Sequence, residues 1–226
     1  MVSQLEYALP AAATNRGKQA LALVIPVAAP VSMAVTFYAS NRLFGPMPGY
    51  LIGFLVYWGI WCLIVPIFLL GPEAVRDLFT AHRPWIGRPW WLGLVLLLFP
   101  PLGAITTRFI PEVGAATGAM IGTALAIGVV NATMEELLWR GVFVSYWPRS
   151  FMWGVLYPSV GFGLWHLAPQ IIHPGANPLA FAVGSIVIGL CWGWVAWRTR
   201  SLRATTISHI FTDGSGLRNA LFFLPL

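Results

Sequence analysis

The sequence predicts an all-α fold, a polytopic transmembrane helical bundle of about seven spans, and two features of its composition indicate this class. Hydrophobic residues make up 58% of the 226 residues, whereas Asp, Glu, Lys and Arg together make up 9%, against about 25% in a soluble domain. The few charges lie mainly between long apolar runs. These features exclude a soluble enzyme and a disordered chain, and the scattered basic residues form no stripe that would bind nucleic acid. We therefore expect the lipid bilayer, and no nucleic acid, as a partner.

The spans follow from the length of each apolar run, because a helix needs about 20 mostly apolar residues to cross a bilayer. The third run contains Pro100 and Pro101, and the last is interrupted at 213–216 and could form two short helices. No composition shift marks a boundary, so we expect one transmembrane domain over 1–226, with its N-terminal spans in 19–110. The predicted spans are about 20–40, 50–70, 90–107, 115–138, 150–170, 178–197 and 203–225.

The positions of Lys and Arg predict the orientation, because loops on the cytoplasmic side of a membrane carry the excess of positive charge. The N-terminus and the second, fourth and sixth connections hold most of these residues, whereas Arg42 and Arg108 fall in the others. We expect a multi-pass protein of a bacterial inner membrane with a cytoplasmic N-terminus. The predicted cytoplasmic residues are Arg16, Lys18, Arg76, Arg83, Arg88, Arg149, Arg198, Arg200 and Arg203.

Two series of glycines recur at a spacing of four residues, which lets membrane helices approach closely. One series is Gly114, Gly118 and Gly122, and the other is Gly189 and Gly193. We expect both to lie at seams between helices.

Six ionisable side chains lie within the predicted spans, where each costs about 2.5 to 3.5 kcal/mol on insertion scales. Such residues are retained mainly for a function, so they are the candidate site. Their spread over three spans favours a functional cluster over polar contacts that only hold helices together. They are Glu135, Glu136, Arg140, His166, His209 and Asp213.

Helical spacing separates these residues by role. Glu136 and Arg140 are four residues apart, with the acid first, which favours an ion pair. His209 and Asp213 have the same spacing, so the acid can accept a hydrogen bond from the ring and orient it. Glu135 lies about 100° round the helix from Glu136 and has no local partner in this scheme. We expect its carboxylate to find partners on another helix.

Several hydrolase classes are excluded by missing motifs. The sequence has no His-Glu-x-x-His zinc motif and no Gly-x-Ser-x-Gly motif. A Ser-Lys dyad fails because the single lysine, Lys18, lies outside the spans, and an aspartyl protease fails because Asp77 lies in a basic loop. A carboxylate and two histidines around a water molecule remain.

The ordered set Glu135-Glu136-x-x-x-Arg140, Phe162-x-x-x-His166 and His209-x-x-x-Asp213 resembles the CPBP family of CAAX proteases and bacteriocin-processing enzymes. This family, also called ABI, consists of glutamic intramembrane endopeptidases. The resemblance covers about 115–215, which would then hold the catalytic core spans. It implies that the protein is a peptide hydrolase acting near the terminus of a membrane-delivered peptide or protein, prenylated or not.

The resemblance also implies roles for the individual residues. Glu135 would activate water with the help of His166, whereas Glu136, Arg140 and Phe162 would support the site.

His209 would stabilise the oxyanion of the tetrahedral intermediate. Asp213 departs from the asparagine of the eukaryotic branch, and because an ionised carboxylate cannot donate to an oxyanion, we assign it to orienting His209. The family is metal-independent, so we expect no cofactor, with Zn²⁺ as the alternative that a Glu and two His leave open.

Two questions stay open at this level. A non-catalytic immunity or partner-binding protein on the same bundle is the alternative function, and it would tolerate a Glu135→Gln substitution that an enzyme would not.

Straight helices would also leave Glu135 and His166 roughly 10 Å apart in height. Helix tilt, or a fifth span that starts late at Pro158, would close this gap. We expect the peptide to enter from the cytoplasmic or the lateral side.

Overall fold

The computed structural model describes residues 15–218, and its regular structure over that range is helical throughout. The predicted all-α helical bundle is therefore confirmed. The helices are α1 (Arg16–Phe44), α2 (Pro46–Leu70), α3 (Pro72–Thr80), α4 (Trp90–Ala115), α5 (Gly118–Tyr146), α6 (152–165), α7 (Pro178–Thr199) and α8 (Arg203–Gly214).

Five of these helices, namely α1, α2, α4, α5 and α7, are long and apolar enough to cross a membrane. The chain is an integral membrane protein. The predicted fifth and seventh spans correspond to α6 and α8, which at 1.5 Å per residue are about 20 Å long or less, against about 30 Å for the hydrocarbon core. The count of seven spans is thus not confirmed. Residues 219–225 of the last predicted span lie outside the described residues.

Side-chain caps and glycine junctions define where several helices begin. Asn15, Thr117 and Asn177 precede α1, α5 and α7, and each side chain accepts a hydrogen bond from the backbone N–H three residues later, which satisfies an otherwise unpaired donor. Gly45 and Gly71 separate consecutive helices with φ of 84° and 86°. Glycine adopts a positive φ without a steric penalty, so a single residue is enough for each junction.

Helix α5 lies at the centre of the bundle and carries much of the buried core. Trp139 and Phe143 of α5 pack in one cluster with Phe37 of α1, Tyr57 of α2 and Trp165 of α6, and all five side chains are almost fully buried. Large rigid rings dominate the energetics of such a cluster. This packing fixes α1, α2 and α6 around the part of α5 that contains Glu135.

The two predicted glycine seams have different outcomes. The seam at Gly189 and Gly193 is confirmed, because a Cβ atom at these positions would lie 3.1 and 2.9 Å from side chains of α6. The seam at Gly114, Gly118 and Gly122 is wrong, because no atom from elsewhere in residues 15–218 lies within 4 Å of the Cβ position at any of the three. Helical spacing alone does not say which face of a helix meets a neighbour.

The basic residues predicted to be cytoplasmic gather at one end of the bundle, which we call the basic end. Arg198 donates to the carbonyl of Arg88, and Arg203 donates to the carbonyl of Arg83 at 2.6 Å. Arg200 donates to the carbonyls of Val144, at 2.9 Å, and of Pro148. The basic end thus joins the connections after α3, α5 and α7, as the predicted alternation of loops requires.

Candidate active site

The predicted site residues meet where the two short helices end beside the middle of α5. His166 follows the last residue of α6, and Asp213 lies in the last turn of α8. Glu135 and Glu136 of α5 are 1% and 0% exposed. Because α6 and α8 end inside the bundle, they bring polar groups to membrane depth without exposing them to lipid.

Glu135 accepts hydrogen bonds from three elements. Tyr57 of α2 donates its hydroxyl to Oε1 at 3.0 Å, and Trp165 of α6 donates its indole N–H to the same oxygen at 2.7 Å. Asn131, one turn earlier on α5, donates to Oε2 at 3.1 Å. His209 Nε2 lies 3.4 Å from Oε2. Glu135 therefore finds the partners on other helices that its spacing predicted.

His209 lies between three carboxylates. Its Nδ1 is 3.2 Å from Glu136 Oε1, and its Nε2 is 3.4 Å from both Glu135 Oε2 and Asp213 Oδ2. The ring stacks on Trp192, with 4.0 Å between the centroids. An imidazolium, which has a proton on each nitrogen, satisfies both sides of this arrangement at once. The predicted pairing of His209 with Asp213 is confirmed by the 3.4 Å distance.

Arg140 contacts Glu136 and Phe162 at the site. Its Nη1 lies 3.2 Å from Glu136 Oε1, which confirms the predicted pair, and its guanidinium carbon lies 4.2 Å from the centroid of the Phe162 ring. The pair spans the start of a wide π-helical turn at Leu137–Gly141, and such turns are frequent at functional sites. Because Glu136 also contacts His209, a continuous chain of charged contacts runs from Arg140 to the imidazole.

His166 reaches the level of Glu135 because α6 is short. Its Nδ1 lies 2.7 Å from the Phe162 carbonyl oxygen, which leaves Nε2 as the nitrogen able to act on a ligand. The adjacent Trp165 bonds directly to Glu135, so the predicted gap in height is closed. The late start at Pro158 is wrong, because the helix is already formed at residue 152.

Asn131 is a site residue that the sequence analysis missed. Its amide nitrogen donates to Glu135 at 3.1 Å and to Asp213 Oδ2 at 2.8 Å, and its amide oxygen accepts from the Trp58 indole at 2.8 Å. An asparagine four residues before Glu135 in an apolar run was a usable signal. Tyr57 carried no such signal, because aromatic residues are common throughout these spans.

A cleft of about 850 Å³ opens onto these residues, which is within the size range of small-ligand sites. Glu135, His166 and Asp213 line its inner part. Its outer part is formed at the end of the bundle opposite the basic end. The residues lining the outer part include Tyr50, Arg108, Glu112, Gly175, Asn177 and Arg218.

Residues 117–215 match the Rce1-like family model, which describes type II CAAX prenyl endopeptidases. Over these residues the chain is similar to the Rce1-like family. The match confirms the predicted CPBP resemblance, and the segment contains every predicted site residue. No curated protein and no solved structure matches the chain. This segment is therefore similar to CAAX-type intramembrane endopeptidases.

The site also offers a set of metal ligands. Glu135, His209 and Asp213 each present one ligand atom, and these atoms lie within 4.8 Å of one another. Carboxylate oxygen and imidazole nitrogen are both accepted by Zn²⁺. The geometry therefore accommodates either a water molecule held by hydrogen bonds or an ion held by three ligands.

Proposed function

We propose that the protein is an intramembrane endopeptidase that hydrolyses a peptide bond near the terminus of a membrane-associated protein or peptide, with water activated by Glu135. The observation that carries this proposal is the position of Glu135. It is buried, yet it lines the cleft, and among residues 15–218 its hydrogen-bond donors are Tyr57, Trp165 and Asn131. Within that range no arginine pairs with it, and its one cationic contact is the long 3.4 Å approach of His209 Nε2, so its carboxylate can accept a proton.

The reaction begins with a water molecule between Glu135 and His166. Glu135 takes a proton from the water as the oxygen attacks the carbonyl carbon of the peptide bond, and His166 Nε2 accepts a hydrogen bond that positions the water. A C–O bond forms and the carbonyl oxygen becomes an oxyanion. The proton on Glu135 then passes to the leaving nitrogen as the C–N bond breaks, which gives an amine and a carboxylic acid that loses its proton to solvent.

His209 stabilises the oxyanion through its Nε2–H. This proton is shared between Glu135 and Asp213 at 3.4 Å from each, which is long for a hydrogen bond. An oxyanion at an ordinary hydrogen-bond distance from Nε2 would therefore accept this proton in preference to the two carboxylates. Glu136 holds the opposite nitrogen, Nδ1, and fixes the ring plane. Asp213 and Arg140 are positioning residues in this scheme.

We propose that the reaction needs no metal. Two of the three ligand residues of the possible ion site already have hydrogen bonds that suit a water-activating arrangement, because Asn131 donates to both Glu135 and Asp213. An ion at the same place would compete with these amide protons. A Zn²⁺-dependent mechanism is the alternative, and the effect of a chelator on turnover distinguishes it from the metal-free mechanism.

The test is cleavage of fluorogenic, membrane-anchored peptides by the purified protein in detergent. Glu135→Gln removes the base without changing its size and is expected to lower kcat on the order of 10²- to 10⁴-fold. The matched control is Glu73→Gln, at an exposed position on α3, which should leave turnover unchanged. A chelator should have no effect.

Three outcomes would contradict the proposal in different ways. Turnover lost with the chelator and restored by Zn²⁺ would replace the metal-free mechanism. Equal turnover in Glu135→Gln and the unsubstituted protein would remove Glu135 from the chemistry. A peptide panel that is bound but not cleaved would favour a partner-binding protein on the same bundle.

A further inference from the structure

The basic end of the bundle carries a large excess of positive charge. The whole sequence has 13 Lys and Arg but seven Asp and Glu. Three of these acids, Glu135, Glu136 and Asp213, form the candidate site, and Glu112 lies with Arg218 at the opposite end of the bundle. At most three acidic side chains are left for the nine basic residues of the basic end. The acidic side chains of the chain therefore cannot neutralise this surface.

Hydrogen bonds to backbone carbonyls hold the arginines of this end in place. Arg203 donates from Nη2 to the carbonyl oxygen of Arg83 at 2.6 Å, and Arg83 donates to the carbonyl oxygen of Arg200. Arg198 donates from Nε and Nη2 to the carbonyl oxygen of Arg88, at 3.1 and 2.9 Å. A neutral carbonyl fixes a guanidinium without cancelling its charge. Each guanidinium has five N–H donors, and these bonds use one or two of them.

The arginines are close enough to repel one another. Among residues 15–218, no carboxylate oxygen lies within 4.0 Å of the guanidinium nitrogens of Arg83, Arg198, Arg200 or Arg203. Burial, and after it the charges of Arg83 and Arg198, lower the pKa of Arg200 to about 10, so this side chain is still charged at neutral pH. An anion placed among these cations would relieve their repulsion.

Exposed tryptophans indicate that this surface lies at the membrane boundary. Two membrane-spanning helices have an end here, since α4 begins at Trp90 and α7 ends at Thr199. Trp85, Trp90 and Trp91 are each at least half exposed, and tryptophan is enriched at the level of the lipid headgroups. The guanidinium carbon of Arg203 lies 4.6 Å from the centroid of the Trp85 ring. The nearest anions at this depth are the phosphates of lipids.

We propose that the arginine cluster formed by Arg83, Arg198, Arg200 and Arg203 binds the phosphate of an anionic phospholipid. Guanidinium groups match phosphate oxygens through paired, charge-assisted hydrogen bonds. A zwitterionic lipid has the same phosphate, but its ammonium group would be repelled by the cluster. Exposed apolar side chains of α4 continue from this point into the membrane, where the acyl chains of the lipid would pack. The arginine cluster lies at the opposite end of the bundle from the cleft and takes no part in the proposed reaction.

The experiment compares two lipids that have the same acyl chains, the anionic phosphatidylglycerol and the zwitterionic phosphatidylcholine. Each is titrated into the purified protein in a neutral detergent, and bound lipid is counted by native mass spectrometry. An arginine near an anionic lipid contributes about fivefold in affinity. We therefore expect the unsubstituted protein to bind phosphatidylglycerol about 25-fold or more tightly than phosphatidylcholine. The double variant Arg198→Gln with Arg203→Gln should lose about 25-fold of this preference and bind phosphatidylcholine as before.

Two further variants separate the effect of charge from an effect on folding. Arg198→Lys with Arg203→Lys keeps both charges and should keep most of the preference. The control Arg42→Gln removes an exposed charge in the last turn of α1, at the other end of the bundle, and should keep all of it. Because a bound ligand stabilises the folded state, phosphatidylglycerol should also raise the unfolding midpoint of the control more than that of the double glutamine variant.

Equal affinity of the unsubstituted protein for the two lipids would overturn the proposal. A preference that the double glutamine variant retains in full would overturn it as well, because the cluster would then not be its source. Inorganic phosphate at millimolar concentration distinguishes a lipid from a free anion and should leave phosphatidylglycerol bound. Complete displacement of the lipid by inorganic phosphate would assign the arginine cluster to a soluble phosphate compound instead.

Discussion

Asn131 holds two carboxylates of the site next to each other. Its amide nitrogen donates to Glu135 at 3.1 Å and to Asp213 at 2.8 Å, so it offsets the repulsion between two acids in a buried place. A hydrogen bond to a charged group contributes about 1.5 to 3 kcal/mol. We expect Asn131→Leu to lower kcat on the order of 10- to 100-fold with a smaller change in KM. An unchanged kcat in peptide cleavage would show that Asn131 contributes packing but not its hydrogen bonds to the reaction.

The buried pair of Glu136 and Arg140 gives a prediction about stability. Arg140→Met leaves Glu136, which is fully buried, with His209 as its one remaining cationic contact among residues 15–218, and the loss of one partner of a buried pair costs up to about 3 to 5 kcal/mol. The double variant Glu136→Gln with Arg140→Met removes both charges and should recover most of this loss. Both predictions are checked by the unfolding midpoint in detergent. A double variant no more stable than Arg140→Met would contradict an ion-pair role.

The sequence predicted the parts of the site that are local along a helix. The pairs formed by Glu136 with Arg140 and by His209 with Asp213 follow from a spacing of four residues, and both are present. Tyr57 could not be predicted, because it meets Glu135 across 78 positions of the chain and tyrosine has no special meaning in an apolar span.

At the scale of the helices, apolar runs predicted where α1, α2, α4, α5 and α7 lie, but not where α6 and α8 end. The apolar run of the fifth predicted span continues to 170, whereas α6 ends at Trp165. Hydropathy is equally high for a side chain that faces lipid and for one that is buried in a protein core. It therefore cannot distinguish a helix that crosses the membrane from one that stops inside the bundle. Packing against α5 and α7 decides the point.

The contact between α6 and α7 gives a prediction at this scale. A Cβ atom on Gly163 would lie 2.6 Å from the carbonyl oxygen of Ala182, so Gly163→Ala should push α6 away from α7. Overpacking of this kind costs about 1 to 3 kcal/mol, and it should also lower kcat because α6 positions Trp165 and His166. The matched control is Gly184→Ala on α7, where no neighbouring atom lies within 4 Å of the Cβ position. Equal unfolding midpoints for the two variants would contradict the close contact.

For the whole molecule, the cleft and the basic end lie at opposite ends of the bundle. The lining residues Arg108, Asn177 and Arg218 lie at the end where α4 finishes, α7 begins and α8 finishes, whereas Arg198 and Arg203 lie at the other ends of α7 and α8. If the N-terminus is cytoplasmic, as the charges predict, the mouth of the cleft faces the far side of the membrane. The expected cytoplasmic entry of the peptide conflicts with this orientation, whereas lateral entry does not.

Cysteine labelling distinguishes the two orientations. The native Cys62 and Cys191 are buried and can be replaced by alanine, and single cysteines then go to Ala176, exposed at the cleft end, and to His82, exposed at the basic end. We expect a membrane-impermeant maleimide to label Ala176→Cys but not His82→Cys in intact cells, and the reverse in inverted vesicles. The opposite pattern would place the basic end outside and the cleft towards the cytoplasm. The substrate's terminus must be presented on the side where Ala176→Cys is labelled or within the bilayer, so the same result decides which peptides belong in the cleavage assay.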